Sequence, residues 1–147
     1  MMIQTAQKGI KMAINFANVN LEVIDINTNA SPDIFVNKNG VTFTKRVLED
    51  LNYPQNVQYC IDAENHVFAI KPCKGNEVKA TSFSKSRGEQ NSTVSCNNKN
   101  MHAVLTRMIP DYDEEKRYKI TGFLDTENKI MYYDMSEAEE SLFRAAK

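Results

Sequence analysis

A seven-residue pattern occurs twice in this chain and constrains its fold more than any other feature. The two segments are Asp62–Phe68 and Asp125–Met131, and both read Asp-x-Glu-Asn, then histidine or lysine, an aliphatic residue and a bulky apolar residue. A repeated turn between similar apolar segments indicates a duplicated structural unit. The chain has 147 residues, which fits one compact domain or two small halves packed on each other.

The residues around the first turn predict a strand, a helix and a hairpin. Alternating apolar residues predict strands from Leu21, over 34–36 and over 41–43, with Asn39-Gly40 as a tight turn. Thr44 is a candidate N-cap for a short helix that ends at Tyr53-Pro54. Residues 57–61 and 67–70 alternate on either side of the turn, so we expect a β-hairpin there.

The second half repeats this order. We expect a strand at 94–96, a helix capped by Asn97 or Asn98 that stops at Pro110, and a second hairpin that returns over 130–135. Ser136 and Glu139 form a capping-box pattern, which predicts a C-terminal helix over 136–147.

The predicted fold class is α+β: two related β-α-β-β units, mainly antiparallel small sheets or a barrel, with a C-terminal helix. The predicted segments are a poorly ordered N-terminal segment 1–20, a first unit 21–73 with its leading strands, a basic linker 74–92, a second unit 93–135 and the helix 136–147.

Acidic and amide side chains in the repeated phrase could converge on Ca²⁺, but we favour plain turns. Asp and Asn bond the local backbone and tolerate positive φ, whereas a calcium loop needs more oxygen ligands, a Gly and a distal Glu. The acidic run 111–115 follows Pro110 and reads as a solvated loop.

Cysteine and histidine patterns carry no catalytic or metal signature. Cys60, Cys73 and Cys96 lack CxxC spacing, so we expect reduced thiols, no disulfide framework and no zinc site. His66 and His102 lack HxxxH or HExxH pairing, and we expect them to be surface or half-buried residues. The sequence predicts no metal, no cofactor and no enzyme. A small enzyme that uses a cysteine and a histidine is a weaker hypothesis than the DNA-binding and assembly functions described below.

Charge is unevenly distributed although the net charge is only −1. Residues 71–107 carry seven Lys/Arg and two Glu, whereas residues 108–147 carry six Lys/Arg and ten acidic residues. A basic middle can meet a phosphate backbone. Apolar runs fall short of the roughly 20 residues that span a bilayer and the N-terminus lacks a secretory signal, so we expect a soluble cytoplasmic protein without a membrane partner.

Residues 39–72 resemble the AbrB-type, or swapped-hairpin, family of bacterial transition-state regulators. The matching positions are Asn39–Thr44, then Val47, Leu51 and Asn52, then the hairpin to Pro72, with Asn39 and Asn52 where the family has glycine. Thr44 replaces the family's proline, and Leu48 stands where the family has an arginine associated with DNA binding. The copy over 94–135 keeps mainly the topology. The tandem arrangement is similar to the MraZ family, in which two units form a pseudo-dimer.

The resemblance implies a small shared barrel and sequence-dependent binding of double-stranded DNA as a homo-oligomer. It predicts phosphate contacts, which position a protein without specifying sequence. The implied phosphate-binding residues are Lys45, Arg46, Lys71, Lys74, Lys79, Lys85 and Arg87. The alternative is a non-enzymatic interaction or assembly module of a mobile element or phage, which predicts an exposed apolar patch or an unpaired edge strand.

Overall fold

The computed structural model describes residues 15–23, 31–90 and 93–142. In these ranges the chain forms two α-helices, nine strands and two short 3₁₀ turns. The elements are β1 (Asp33–Asn37), β2 (Gly40–Phe43), α1 (Lys45–Asp50), β3 (Asn56–Asp62), β4 (Val67–Cys73), β5 (Thr81–Ser82), β6 (Val94–Cys96), α2 (Lys99–Met108), β7 (Lys116–Asp125), β8 (Ile130–Asp134) and β9 (Glu139–Leu142), with 3₁₀ turns at Phe16–Asn18 and Met135–Glu137.

The nine strands form one antiparallel sheet that curls into a half-barrel. Its order is β5-β3-β4-β8-β7-β1-β2-β6. β9 also pairs with β7. β1 and β9 are both aligned with Tyr118 and Lys119 of β7, so they pair with opposite edges of that strand. The fold is therefore broadly α+β, as the sequence predicted.

The two helices and the inner side chains of the curled sheet form one core. Val47 and Leu48 of α1 and Leu105 of α2 are fully buried. Aromatic rings link the strands inside the half-barrel, where Phe68 stacks on Tyr133 with ring centroids 5.9 Å apart. Burial of these side chains supplies the main driving force for closing the sheet.

The interior is closely packed where β7 meets β8. A Cβ on Gly122 would lie 2.8 Å from the Pro32 carbonyl oxygen and 2.8 Å from the Tyr133 ring. Gly122 N and the Tyr133 hydroxyl both donate to that carbonyl, at 3.1 and 3.0 Å. Only glycine, which has no Cβ, allows the chain at position 122 to come this close to the Pro32 carbonyl and the Tyr133 ring. Burial raises the pKa of the Tyr133 hydroxyl well above its usual value.

Most of the turns, hairpins and helices predicted from local sequence patterns are confirmed. The hairpins, both helices and the Asn98 cap, which accepts from Met101 N at 3.0 Å, lie where the sequence placed them. Asn52 has φ 61°, the left-handed conformation expected of a residue at a glycine position. Thr44 precedes α1 but its hydroxyl donates to Asp33 O at 2.8 Å instead of capping the helix. Residues 21–23 are not in a strand, and the rest of that predicted strand lies outside the described residues.

The helix predicted over 136–147 is wrong for residues 136–142. A 3₁₀ turn at Met135–Glu137 leads into β9, whose Glu140 and Glu139 pair with Lys116 and Lys119 on β7 at 2.9 and 3.7 Å. Cross-strand charge pairs and a sheet edge thus outweigh the local capping-box signal. The remaining residues of that prediction, like most of the segment 1–20, lie outside the described ranges.

Candidate nucleic-acid interface

Five of the seven predicted phosphate-binding residues lie in residues 71–87, which begin in the second strand of the first hairpin. Lys71 is exposed at the end of β4, and the next two lysines lie in the loop to β5. This loop is held in place by Gln58, whose Nε2 donates to Val78 O at 2.7 Å, and by Glu77, whose Oε2 accepts from Lys74 N at 2.6 Å. The loop therefore lies against the outer strand of the hairpin.

The segment after this loop packs along residues 53–57. β5 pairs with the start of β3, and Ser84 Oγ donates to Pro54 O at 2.6 Å. The guanidinium of Arg87 lies 4.9 Å from the centre of the Tyr53 ring, in a cation–π contact. Residues 74–90 are thus packed against the first unit, and the strand in this segment is limited to Thr81–Ser82.

Lys71 lies on β4, and the other four cations lie in the segment that these contacts pack against β3 and the residues just before it. We call this surface the basic edge; it comprises Lys71, Lys74, Lys79, Lys85 and Arg87. Its side chains are exposed, and two acidic residues, Glu77 and Glu89, lie among them.

Lys45 and Arg46 lie elsewhere, at the start of α1. Thr44 ties this end of the helix to Asp33, the first residue of β1. Arg46 Nε pairs with Asp50 Oδ1 at 2.8 Å, so part of its charge is compensated within the helix. Lys45 and Arg46 are therefore not part of the basic edge.

The segment that follows the second hairpin has the opposite charge. Asp134 ends β8, Glu137 lies in the 3₁₀ turn, and β9 begins with Glu139 and Glu140. Lys116 and Lys119 of β7 pair with the last two, so the remaining charge there is negative. The half-barrel therefore carries a basic edge after its first hairpin and an acidic edge after its second.

The two histidines serve the fold. His66 Nδ1 lies 3.0 Å from Met108 O, and His102 Nε2 lies 2.7 Å from Asn37 O. A carbonyl oxygen only accepts, so these ring nitrogens carry the hydrogens, and each histidine is half-buried as predicted. Cys60 is exposed, whereas Cys96 Sγ contacts Met101 Sδ at 3.5 Å.

The repeated Asp-x-Glu-Asn segments are turns, which confirms the favoured interpretation. Asp62 accepts from Asn65 N and Nδ2 at 3.2 and 2.7 Å, and Asp125 accepts from Asn128 N and Nδ2 at 3.3 and 2.9 Å. The residue after each asparagine has φ 59°. In the part of the chain that the structure describes, no group of three or more His, Cys, Asp or Glu side chains could hold a metal ion.

The sequence interpretation missed two exposed aromatic residues on the outside of the sheet. Phe123 on β7 and Tyr132 on β8 are directly opposite each other and are 80% and 40% exposed. The signal was available, because the turn at Asp125 fixes the register of this hairpin and aligns the two residues.

No protein-family model, no curated protein and no solved structure matches this chain. The two helices of the described residues are too short and too polar to cross a membrane. Function is therefore inferred from the geometry and charge of the surfaces described above.

Proposed function

We propose that this chain is a DNA-binding regulatory protein of the swapped-hairpin type. In this proposal two related units in one chain interlock as a pseudo-dimer, and the basic edge of the first unit contacts the phosphates of double-stranded DNA. The carrying observation is that five exposed cations lie on β4 and in the segment packed against β3. The pairing of the strands supports the swapped architecture.

The central strand pairing has the register expected of a pseudo-two-fold axis. When the two turns are aligned, Asp62 on Asp125, Ala69 becomes equivalent to Tyr132. These two residues are paired with each other. Phe68 pairs with Tyr133, the counterpart of Ile70, and Ile70 pairs with Met131, the counterpart of Phe68. Such reciprocity is the signature of an isologous contact between two related units.

A second pairing follows the same rule. When the helix caps Thr44 and Asn98 are aligned, Thr42 becomes equivalent to Cys96. β2 and β6 pair antiparallel, with Val41 opposite Cys96 and Thr42 opposite Ser95. Both pairings are those that two copies of one unit would form about a shared axis.

The leading strands are exchanged between the units. β1 is a leading strand of the first unit but pairs with β7 of the second, and β5, in the segment that leads into the second unit, pairs with β3 of the first. Each hairpin is thus completed by a strand from the other unit. This exchange is what the swapped-hairpin resemblance implies.

The basic edge supports phosphate binding because its cations are exposed and tethered to a rigid strand pair. Exposed lysines and arginines supply the salt-dependent, sequence-independent part of DNA affinity. In a symmetric pseudo-dimer the second unit would offer an equivalent surface, but there Asp134 and Glu137 are equivalent to Lys71 and Lys74. We therefore propose that the DNA contact is one-sided.

The test is the affinity for a mixed-sequence duplex measured by fluorescence anisotropy over a range of salt concentrations. The wild-type affinity falls steeply as the salt concentration rises. The double variant Lys74→Gln, Lys79→Asn reduces the slope of log binding constant against log salt concentration by about 2 in magnitude, because each phosphate contact contributes about 0.9 to that slope. Asparagine suits position 79, where φ is 57°.

The control is Lys99→Gln with Arg107→Gln, which removes the same charge from the exposed face of α2. This control keeps the wild-type slope. An equal loss in both double variants would show that net charge alone matters, and the absence of binding at low salt would remove the proposal.

The second candidate is an interaction or assembly module, and the exposed Phe123–Tyr132 pair favours it. Exposed apolar patches mark protein contacts, and aromatic residues are enriched at such interfaces. Phe123 and Tyr132 lie on β7 and β8, outside the basic edge, so the two functions are compatible.

A further inference from the structure

A cavity of about 380 Å³ opens on the sheet where β8 leads through the 3₁₀ turn into β9. The residues that line it include Phe123 of β7 and Tyr132 of β8, which are directly opposite each other. They also include three acidic residues of the acidic edge, Asp134, Glu137 and Glu139. The lining therefore combines aromatic rings with carboxylates.

The two aromatic side chains of the cavity do not serve the core. Phe123 is 80% and Tyr132 is 40% exposed, and neither ring stacks on another ring of the described residues. The face of an aromatic ring attracts cations, and its carbon surface packs against methylene groups. An organic cation with an apolar stem suits such rings.

The carboxylates of the cavity are only partly compensated by the protein. Lys119 lies 3.7 Å from Glu139, and Asp134 accepts from Ser136 N at 3.0 Å, which is a neutral donor. Among the residues that the structure describes, no lysine or arginine pairs with Asp134 or Glu137. The cavity thus carries a net negative charge that a cationic ligand neutralises.

The other side of the aromatic pair contributes little net charge. Asp125 lies two residues beyond Phe123, and hydrogen bonds from Asn128 hold the pKa of its carboxyl below the usual value. Asp125 is aligned with Ile130 of β8, and Lys71 continues this row on β4, so an opposite charge lies about 10 Å away. The local field at the rings therefore comes mainly from the cavity carboxylates.

The arrangement of the carboxylates favours an extended organic cation over a metal ion. Within the described ranges, no three His, Cys, Asp or Glu side chains are placed to hold a metal ion together. Asp134 and Glu137 are instead separated by the 3₁₀ turn, which advances about 2 Å per residue. Two ammonium groups joined by a short methylene chain match this separation.

We propose that the cavity binds a linear alkyl diamine. One ammonium group donates to Asp134 and the other to Glu137, in charge-assisted hydrogen bonds. The methylene chain between them packs on Phe123 and Tyr132. A dication leaves neither carboxylate uncompensated, whereas a single ammonium group, such as that of a lysine side chain, leaves one.

Diamine binding does not rest on the proposed DNA contact. The cavity lies beside the acidic edge, and none of its lining residues belongs to the basic edge. The Lys74→Gln, Lys79→Asn variant therefore binds the diamine like the wild type, whatever its affinity for DNA.

Isothermal titration calorimetry of the full chain with cadaverine at low salt tests the site. The wild type shows saturable one-to-one binding, and Glu137→Gln and Phe123→Ser each weaken it by about tenfold. Both side chains are exposed, so these variants keep the fold. The matched control is Glu64→Gln, which removes an exposed carboxylate from the first turn and binds like the wild type. No saturable binding at millimolar cadaverine, or an equal loss in the control, would overturn the proposal.

A comparison of ligands tests the chemical class. Pentylamine has a similar stem but one ammonium group, as a lysine side chain of a protein partner has, and it binds about tenfold more weakly than cadaverine. Magnesium chloride at the same ionic strength leaves the amide shifts of Phe123 and Tyr132 in place, whereas cadaverine moves them. Equal affinities for the two amines would contradict a diamine site, and equal shifts with magnesium would show that the acidic residues attract any cation.

Discussion

At the scale of single residues, the two Asp-x-Glu-Asn turns are equivalent in geometry and electrostatics. In each turn, hydrogen bonds from the asparagine hold the pKa of the aspartate below its usual value, mainly through the side-chain amide. The ionised carboxylates stabilise the turns, and this explains why the phrase recurs without forming a cation site.

The lowered pKa values predict the acid behaviour of the protein. A carboxyl whose pKa is lower in the folded state stabilises the fold above the unfolded pKa, and this contribution is lost as the pH falls through the folded pKa. We expect Asp62→Asn with Asp125→Asn to lower the melting temperature at pH 7 and to flatten its fall in acid, below the ordinary pKa of an aspartate. Thermal unfolding at pH 7 and in acid measures both effects.

The control is Glu64→Gln, which removes an exposed carboxylate from the same turn and leaves the Asp62–Asn65 hydrogen bonds in place. Its pH dependence follows the wild type. A double variant with the same acid sensitivity as the wild type would show that the turn carboxylates contribute nothing to stability.

At the scale of elements, local signals predicted most helices and strands but misread the C-terminal segment. Turn and cap patterns act within a few residues, so the hairpins at Asp62 and Asp125 and the start of α2 could be predicted from sequence. Ser136 and Glu139 also match the capping-box pattern of a helix, yet residues 139–142 form a strand because they pair with the edge of β7. Sheet edges created by distant strands leave no local signal.

The 3₁₀ turn at Met135–Glu137 separates β8 from β9 and places the side chain of Met135 in the core. Met135 is fully buried, and its backbone N donates to His66 O at 2.8 Å. We expect Met135→Ala to lower the free energy of unfolding by about 2–5 kcal/mol, because it leaves a cavity in a packed core. Urea unfolding gives the value.

The exposed Leu142→Ala on β9 is the control, with a change within about 0.5 kcal/mol. A similarly small effect of Met135→Ala would mean that the turn does not anchor β8 to the core.

At the scale of the whole molecule, strand pairing between the two halves of the chain joins them into one sheet. The sequence predicted two copies but not their pairing, because the contacts of β4 with β8 and of β1 with β7 join residues far apart in the chain. Likewise, the family resemblance implied seven phosphate-binding cations, of which five lie between Lys71 and Arg87. The opposite charges after the two hairpins make the assembled molecule asymmetric, and this asymmetry defines the proposed DNA contact.

The most direct measurement of this claim is a titration of the ¹⁵N-labelled protein with duplex DNA at low salt, followed by amide chemical shifts. Our account predicts that the shift changes concentrate in residues 71–90 and spare residues 134–142 of the acidic edge. Equal changes at both edges, or no changes anywhere at low salt, would contradict it.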